Sequence, residues 1–198
     1  MKMSVKTLVF AALIAALYTA LTVALAPISY GMVQIRIAEA LTLLPVYSSA
    51  AVWGVGVGCF LSNLIGLFTG ADILGGLDIP FGTLATVLAA LLSRALRNVR
   101  FKGIPVLSAL PPVVLNAAII GGELYFLLSP GAGFGAFLVQ AGWVGLGELI
   151  SCVCLGLPLC WVLECTGLHQ RLFDGTGRPV PSDTGRRIPP AAGKTSSR

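Results

Sequence analysis

Arg36-Ile37-Ala38-Glu39-Ala40-Leu41-Thr42-Leu43-Leu44-Pro45-Val46-Tyr47-Ser48 decides how often this chain crosses a membrane. If it does not cross, the longer apolar runs make five spans. The loop from Arg94 to Lys102, with four basic residues, then lies on the side opposite the N-terminus. If it crosses, Lys2, Lys6, that loop and the basic C-terminal tail all share one side, and only Arg36 of the 13 Lys and Arg residues is left on the other. Basic residues gather on the cytoplasmic side of membrane proteins. The charge distribution therefore selects six spans with both ends cytoplasmic. The second span is then only about 11–13 residues, roughly 16–20 Å as an α-helix, so it must be tilted, partly re-entrant or covered by protein.

The rest of the chain agrees. Of 198 residues, 56% are hydrophobic and 11% charged, against about 25% charged in a soluble domain, and the mean hydropathy is +0.91. A soluble enzyme, a disordered chain and a disulfide scaffold are excluded. Apolar runs at 5–26, 49–69, 79–93, 104–128 and 136–164 complete the set, giving an all-α integral membrane bundle over 1–170. From 171 to 198 Gly, Pro, Ser and Arg dominate, predicting a disordered basic cytoplasmic tail. The N-terminal run exceeds the usual signal-peptide core, and Pro27 follows the A-x-A-like Ala24-Leu25-Ala26, so it is read as a retained span.

The net charge of +5 does not imply nucleic acid, because the basic residues flank spans and form no stripe with interleaved aromatics. They suit topology and anionic headgroups of the bilayer. Cys59, Cys152, Cys154, Cys160 and Cys165 include no C-x-x-C pair, and the single His169 completes no metal set. Gly54-Val55-Gly56-Val57-Gly58 lies inside a span, and Gly193-Lys194-Thr195 lacks the first P-loop glycine, so neither binds nucleotide. No cofactor, metal or enzymatic constellation is expected. Uphill transport would take its energy from an ion gradient or another subunit.

The acidic residues carry the functional signal. Glu39, Asp72, Asp78 and Glu123 fall in the outer loops or outer thirds of spans, and Glu148 near the middle of the last. An ionisable group in a span is expensive unless it faces a wet cavity or a partner. Outer carboxylates with few basic partners suit a cationic or donor-rich ligand. Glu39 can equally pair with Arg36, three residues before it on a helix. Glu123 and Glu148, with no cation nearby in sequence, can line a cavity or make interhelical links. Asn116 and Glu123 are seven apart and share a face. Ala141, Gly145, Glu148 and Cys152 share another, leaving room beside the carboxylate. Asn63 can serve a planar ring or another helix. Trp53, Trp143, Phe60 and Tyr125 can stack on a ligand or anchor in lipid. Two stripes of small residues, Ala12-Ala16-Ala20-Ala24 and Gly54-Gly58-Ser62-Gly66, permit close helix approach, within the chain or to a partner.

Three stretches carry a family resemblance: Gln34-Ile35-Arg36-Ile37-Ala38-Glu39-Ala40-Leu41-Thr42-Leu43-Leu44-Pro45, Gly58-Cys59-Phe60-Leu61-Ser62-Asn63, and Asp78-Ile79-Pro80-Phe81-Gly82-Thr83-Leu84-Ala85-Thr86. In this order and spacing, over residues 5–165, the chain resembles the QueT family, substrate-binding (S) components of energy-coupling factor (ECF) transporters assigned to queuosine precursors. The resemblance implies a six-transmembrane-helix bundle of the S-component type in the bacterial cytoplasmic membrane. It would bind one small purine-like molecule, queuine or a related 7-deazaguanine base, near the outer face. Its partners would be a transmembrane coupling protein and two cytoplasmic ATPases. Carried over by position, Ala12, Ala16 and Ala20 form the docking stripe, and Arg36, Glu39, Asn63 and Asp78 lie at the pocket. Glu123 and Glu148 join them on the burial argument alone. The alternatives are a stand-alone ion-coupled carrier relaying protons through Glu123 or Glu148, and a membrane assembly or scaffold protein.

Overall fold

Ser4 opens the first helix: its hydroxyl accepts from the Thr7 amide, satisfying one of the N–H groups a helix start leaves free. In the computed structural model, which describes residues 4–31, 34–101 and 103–173, this helix (α1) runs from Val5 to Ala24. Pro27 then sits in the first turn of a four-residue helix, α2 (Ala26–Ser29). The later helices are α3 (Ser49–Thr69), α4 (Asp78–Ala95), α5 (Leu110–Leu128), α6 (Phe134–Leu149), α7 (Leu157–Cys165) and α8 (Leu168–Phe173). A π-helical turn, Ile150–Gly156, joins α6 to α7 without a break. Five of the resulting rods are long and apolar enough to cross a membrane: Val5–Ala24, Ser49–Thr69, Gly75–Asn98, Val106–Leu128 and Phe134–Cys165. The protein is a multi-pass, helical membrane protein, with the expected runs at their expected places. The tail beyond Phe173 lies outside the described residues; residues 171–173, expected to belong to it, instead end α8.

The deciding segment is not α-helical. Ile37–Val46 is a 3₁₀ helix of ten residues. At about 2.0 Å per residue it reaches about 20 Å, where an α-helix of that length would reach about 15 Å. Its two ends are fixed by contacts with opposite ends of α4. Arg36, just before it, pairs with Asp78, the first residue of α4. Pro45, near its end, accepts at 2.9 Å from Nη1 of Arg94, in the last turn of α4. The two ends of this shorter helix are thus tied to the two ends of α4 through the long side chains of Arg36 and Arg94.

Every residue from Ala38 to Val46 is buried. The segment is the core about which the bundle is built, in contact with α1, α3, α4, the π turn and α7. Being enclosed on all sides, it needs no apolar stripe and shows none. Around it, α1 packs on α3, α3 on α4, α4 on α5 and α5 on α6.

The stripe Gly54-Gly58-Gly66 makes these contacts possible. A Cβ at Gly54 would lie 2.7 Å from Ile14 Cβ and 2.9 Å from the Ala11 carbonyl, and one at Gly58 2.7 Å from Tyr18 Cβ. The helices approach backbone to backbone, with no room for a methyl group. Ala12, Ala16, Ala20 and Ala24 lie on the opposite, exposed face of α1. The two stripes therefore differ in role: the glycines pack within the chain, the alanines do not. Gly121 likewise abuts Ala141, with a Cβ there 2.6 Å from Ala141 Cα. The small residues beside Glu148 were expected to leave room for a ligand. At Ala141 that room is filled by α5.

Candidate functional site

Six charged side chains are buried among the described residues: Arg36 and five carboxyl groups, Glu39, Asp72, Asp78, Glu123 and Glu148. Asp78 comes from the start of α4, Asp72 from the turn after α3, Arg36 and Glu39 from the start of the central 3₁₀ segment. Arg36, Asp72 and Asp78 belong to the end of the bundle opposite Arg94 and Arg100, while Glu39 reaches Thr86, midway along α4. Ionised, the set carries four negative charges in excess.

Arg36 pairs with Asp78 Oδ2, donates from Nε to the Ser29 carbonyl at 3.3 Å and lies 5.6 Å from the centroid of the Tyr30 ring. It does not pair with Glu39, the alternative that their spacing allowed. Arg36 stands just before the helix with an extended backbone, and the approach of α4 gives it another carboxylate. Glu39 Oε1 instead accepts from the Tyr18 hydroxyl and, at 3.2 Å, from Thr86 Oγ1. Asn63, one helical turn beyond Cys59, donates to the Asp78 carbonyl at 2.7 Å, which ties α3 to the start of α4. Gly82, one turn into α4, faces this knot: a Cβ there would lie 2.8 Å from Asn63 Nδ2 and collide with the Asp78 carboxylate.

Glu148 belongs to a second, deeper group. Its Oε1 accepts from Asn116 Nδ2 at 2.8 Å and its Oε2 lies 3.7 Å from Cys152 Sγ. Asn116 and Glu123 are both buried on α5 as their spacing suggests, but Asn116 serves Glu148. The π turn begins two residues after Glu148 and packs on the central segment; a Cβ at Gly156 would lie 3.1 Å from Leu43 Cδ1. Such turns are frequent at functional sites.

Glu123 is buried with both carboxyl oxygens free of hydrogen bonds. It lies within electrostatic range of Asp78, Asp72 and Arg36. Glu39 Oε2, Asp72 Oδ2, Asp78 Oδ1, Asn63 Oδ1 and Gln140 Oε1 are also buried acceptors without a donor. Among the described residues the unmatched buried groups that can donate are Gln34 Nε2 and the hydroxyls of Ser29, Thr83 and Ser108. Buried polar groups ordinarily find partners. The excess is of carboxyl and amide oxygens, and such a set suits a molecule rich in N–H groups or carrying positive charge. Asp72, in the loop between α3 and α4, has its carboxyl pushed up to about 6, first by burial and then by the charge of Asp78.

Sequence reasoning passed over Tyr18, Tyr30, Thr86 and Gln140, and noted Asp72 without placing it at the site. Tyr18 and Tyr30 are fully enclosed, yet nothing in an apolar run distinguishes an inward tyrosine from one at the interface. The aromatics named as candidate stacking groups lie elsewhere: Trp53, Trp143 and Phe60 are exposed on the outside of the bundle, and Tyr125 packs on Phe126 and Phe137.

This geometry can be set beside known proteins. The sequence matches the family described as QueT transporter over residues 8–165. The chain belongs to the QueT transporter family. The central segment, the start of α4 and all five buried carboxyl groups fall within the matched region. A curated relative, the queuosine precursor transporter QueT of Lactococcus lactis subsp. cremoris (strain MG1363), is 39% identical over 70 residues, which cover 34% of this chain and 41% of the relative. The match thus spans less than half of that protein. No solved structure matches.

Proposed function

We propose that this QueT family member is the substrate-binding membrane subunit of an ECF-type importer and takes up a queuosine precursor, a 7-deazaguanine base, through six crossings with both termini in the cytoplasm. The observation that carries the substrate is the excess of buried, unmatched acceptors around Arg36–Asp78. A 7-deazaguanine offers a ring N–H and an exocyclic amine side by side, a pair of donors that fits the two free oxygens of Glu123. Queuine and its aminomethyl precursor add an amine that is cationic at neutral pH, for which Asp72 and Glu39 each keep a free oxygen. The name of the lactococcal relative supports the same substrate class. The sixth crossing is supported by the central segment, whose two ends contact opposite ends of α4 through Arg36 and Arg94.

Coupling to a transmembrane partner and two cytoplasmic ATPases rests on the family resemblance and on the exposed stripe Ala12-Ala16-Ala20. Small side chains there leave the α1 backbone open to a second helix.

The test is a binding titration of the purified chain with a 7-deazaguanine base. Charge-assisted hydrogen bonds are worth roughly 1.5–3 kcal/mol each. Glu123→Gln replaces one acceptor with a donor facing donors, and should cost on the order of a hundredfold in affinity. Glu148→Gln, whose parent oxygens are occupied within the chain, should cost much less. Equal binding by parent and Glu123→Gln overturns the site. Uptake in cells lacking the coupling protein and ATPases overturns the ECF assignment and favours an ion-coupled carrier.

A further inference from the structure

On the outside of the bundle, a groove of about 490 Å³ runs between α3 and α4, lined chiefly by Val52, Trp53, Val57, Val87 and Leu91. Ser49 and Arg94 stand at one end, Phe60 and Thr83 at the other. From Ser49 to Phe60, and equally from Arg94 to Thr83, is 11 residues, about 16 Å along a helix. That is half of the roughly 30 Å hydrocarbon core, the depth of one leaflet.

The charged end is unbalanced. Arg94 gives Nη1 to the Pro45 carbonyl, and the guanidinium of Arg97 is near enough to repel it. The two ion pairs among the described residues are Arg36–Asp78 and Arg100–Glu164, so neither Arg94 nor Arg97 has a carboxylate. No acidic residue lines the groove. A second copy of the chain would bring no free carboxylate from its described residues either, because those are buried or, in Glu164, already paired. An apolar trough one leaflet deep, with the guanidinium of Arg94 unneutralised at its mouth and Arg97 within range of it, has the form of a phospholipid.

We propose that the groove between α3 and α4 seats one acyl chain of an anionic phospholipid, whose phosphate is held by Arg94 with Arg97 beside it. The lipid belongs to the cytoplasmic leaflet, an assignment that rests on the topology proposed above. Bound there, it would neutralise the two arginines, cover the exposed Trp53 and fill the contact between α3 and α4 at the end remote from the acidic site.

The experiment is native mass spectrometry of the full chain in detergent, titrated with phosphatidylglycerol and with phosphatidylcholine of the same acyl chains. A basic residue near a headgroup is worth about 1 kcal/mol, so one phosphatidylglycerol should bind at least about fivefold more tightly than phosphatidylcholine. Arg94→Gln should bring that ratio close to one, and Arg94→Lys should keep part of it. Val57→Trp, which fills the trough, should weaken both lipids. Binding of the 7-deazaguanine, at the other end of the bundle, reports that each variant is folded. If that base does not bind the parent, an unchanged melting temperature reports the fold, and the lipid result stands separately. No preference in the parent, a preference unchanged in Arg94→Gln, or undiminished phosphatidylglycerol binding by Val57→Trp overturns the proposal. Loss of uptake in Val57→Trp with lipid binding intact also overturns it, and assigns the groove to a protein partner.

Discussion

Arg36 is the residue on which the buried charges depend. Removing one partner of a buried ion pair leaves the other unsolvated, at a cost of about 3–5 kcal/mol. Arg36→Met should therefore lower the melting temperature sharply, because Asp78 would lose its cation in the company of Glu39 and Asp72. Asp78→Leu combined with Arg36→Met should be less damaging than Arg36→Met alone, and thermal melts of the two single variants and the double variant measure the coupling. Asp72 adds a pH dependence. Its carboxyl is raised to about 6 from an ordinary 3.8, so between those values the folded chain holds a proton that the unfolded chain has released. Its contribution to stability is present below that window and is lost as pH rises through it. A cationic ligand works in the opposite sense, since it favours the ionised carboxylate. Affinity for an amine-bearing 7-deazaguanine should rise as pH increases from 5 to 7, while a neutral analogue should show little change, as titrations at the two pH values would reveal. Equal pH profiles for the two ligands would remove Asp72 from contact with the amine.

Helix by helix, similar patterns in the sequence acquire different meanings. Ala12-Ala16-Ala20 and Gly54-Gly58 both read as small residues four apart, and both were legible as packing surfaces. Which one is used inside the chain depends on where α3 lies against α1, and that is a tertiary fact. Gly58→Val should destabilise the fold, by about 1–3 kcal/mol for overpacking, because its side chain would meet Tyr18 and the Ala15 carbonyl. Ala16→Trp should leave the melting temperature and ligand binding near those of the parent, yet abolish uptake if α1 is the docking helix. Loss of ligand binding with Ala16→Trp would mean that the stripe serves the fold. The span boundaries were legible because long apolar runs leave little choice. The Arg36–Asp78 pair was not, although both residues were singled out. They are 42 positions apart, and the local alternative, Glu39, had the expected helical spacing. That spacing counts only within a helix, and Arg36 stands before Ile37–Val46 with an extended backbone. A ten-residue segment that must reach across a bundle gains length by winding more tightly, and that requirement comes from its neighbours.

For the whole molecule, the crossing of the central segment fixes the sidedness of everything else. With six crossings, Ser4 and Asn98 face the cytoplasm and Gly76 faces outward. With five, Ser4 and Gly76 share a side and Asn98 lies across from both. Single cysteines at these three positions discriminate the two, in a background where Cys154 and Cys165, the exposed native thiols, are replaced by alanine. Cys59, Cys152 and Cys160 are buried and can be left in place, which spares Cys59 and Cys152 within the polar interior. A membrane-impermeant thiol reagent added to intact cells should label the cysteine at Gly76 and neither of the others until the membrane is opened. Labelling at Ser4 together with Gly76 would show that Ile37–Val46 enters and leaves by the same face. The acidic end of the bundle and the arginine end would still be opposed, because α4 joins Asp78 to Arg94 without interruption. The six-crossing arrangement with both ends in the cytoplasm puts the unmatched acceptors where an external base would meet them, and Arg94, Arg97 and Arg100 where the anionic inner leaflet lies.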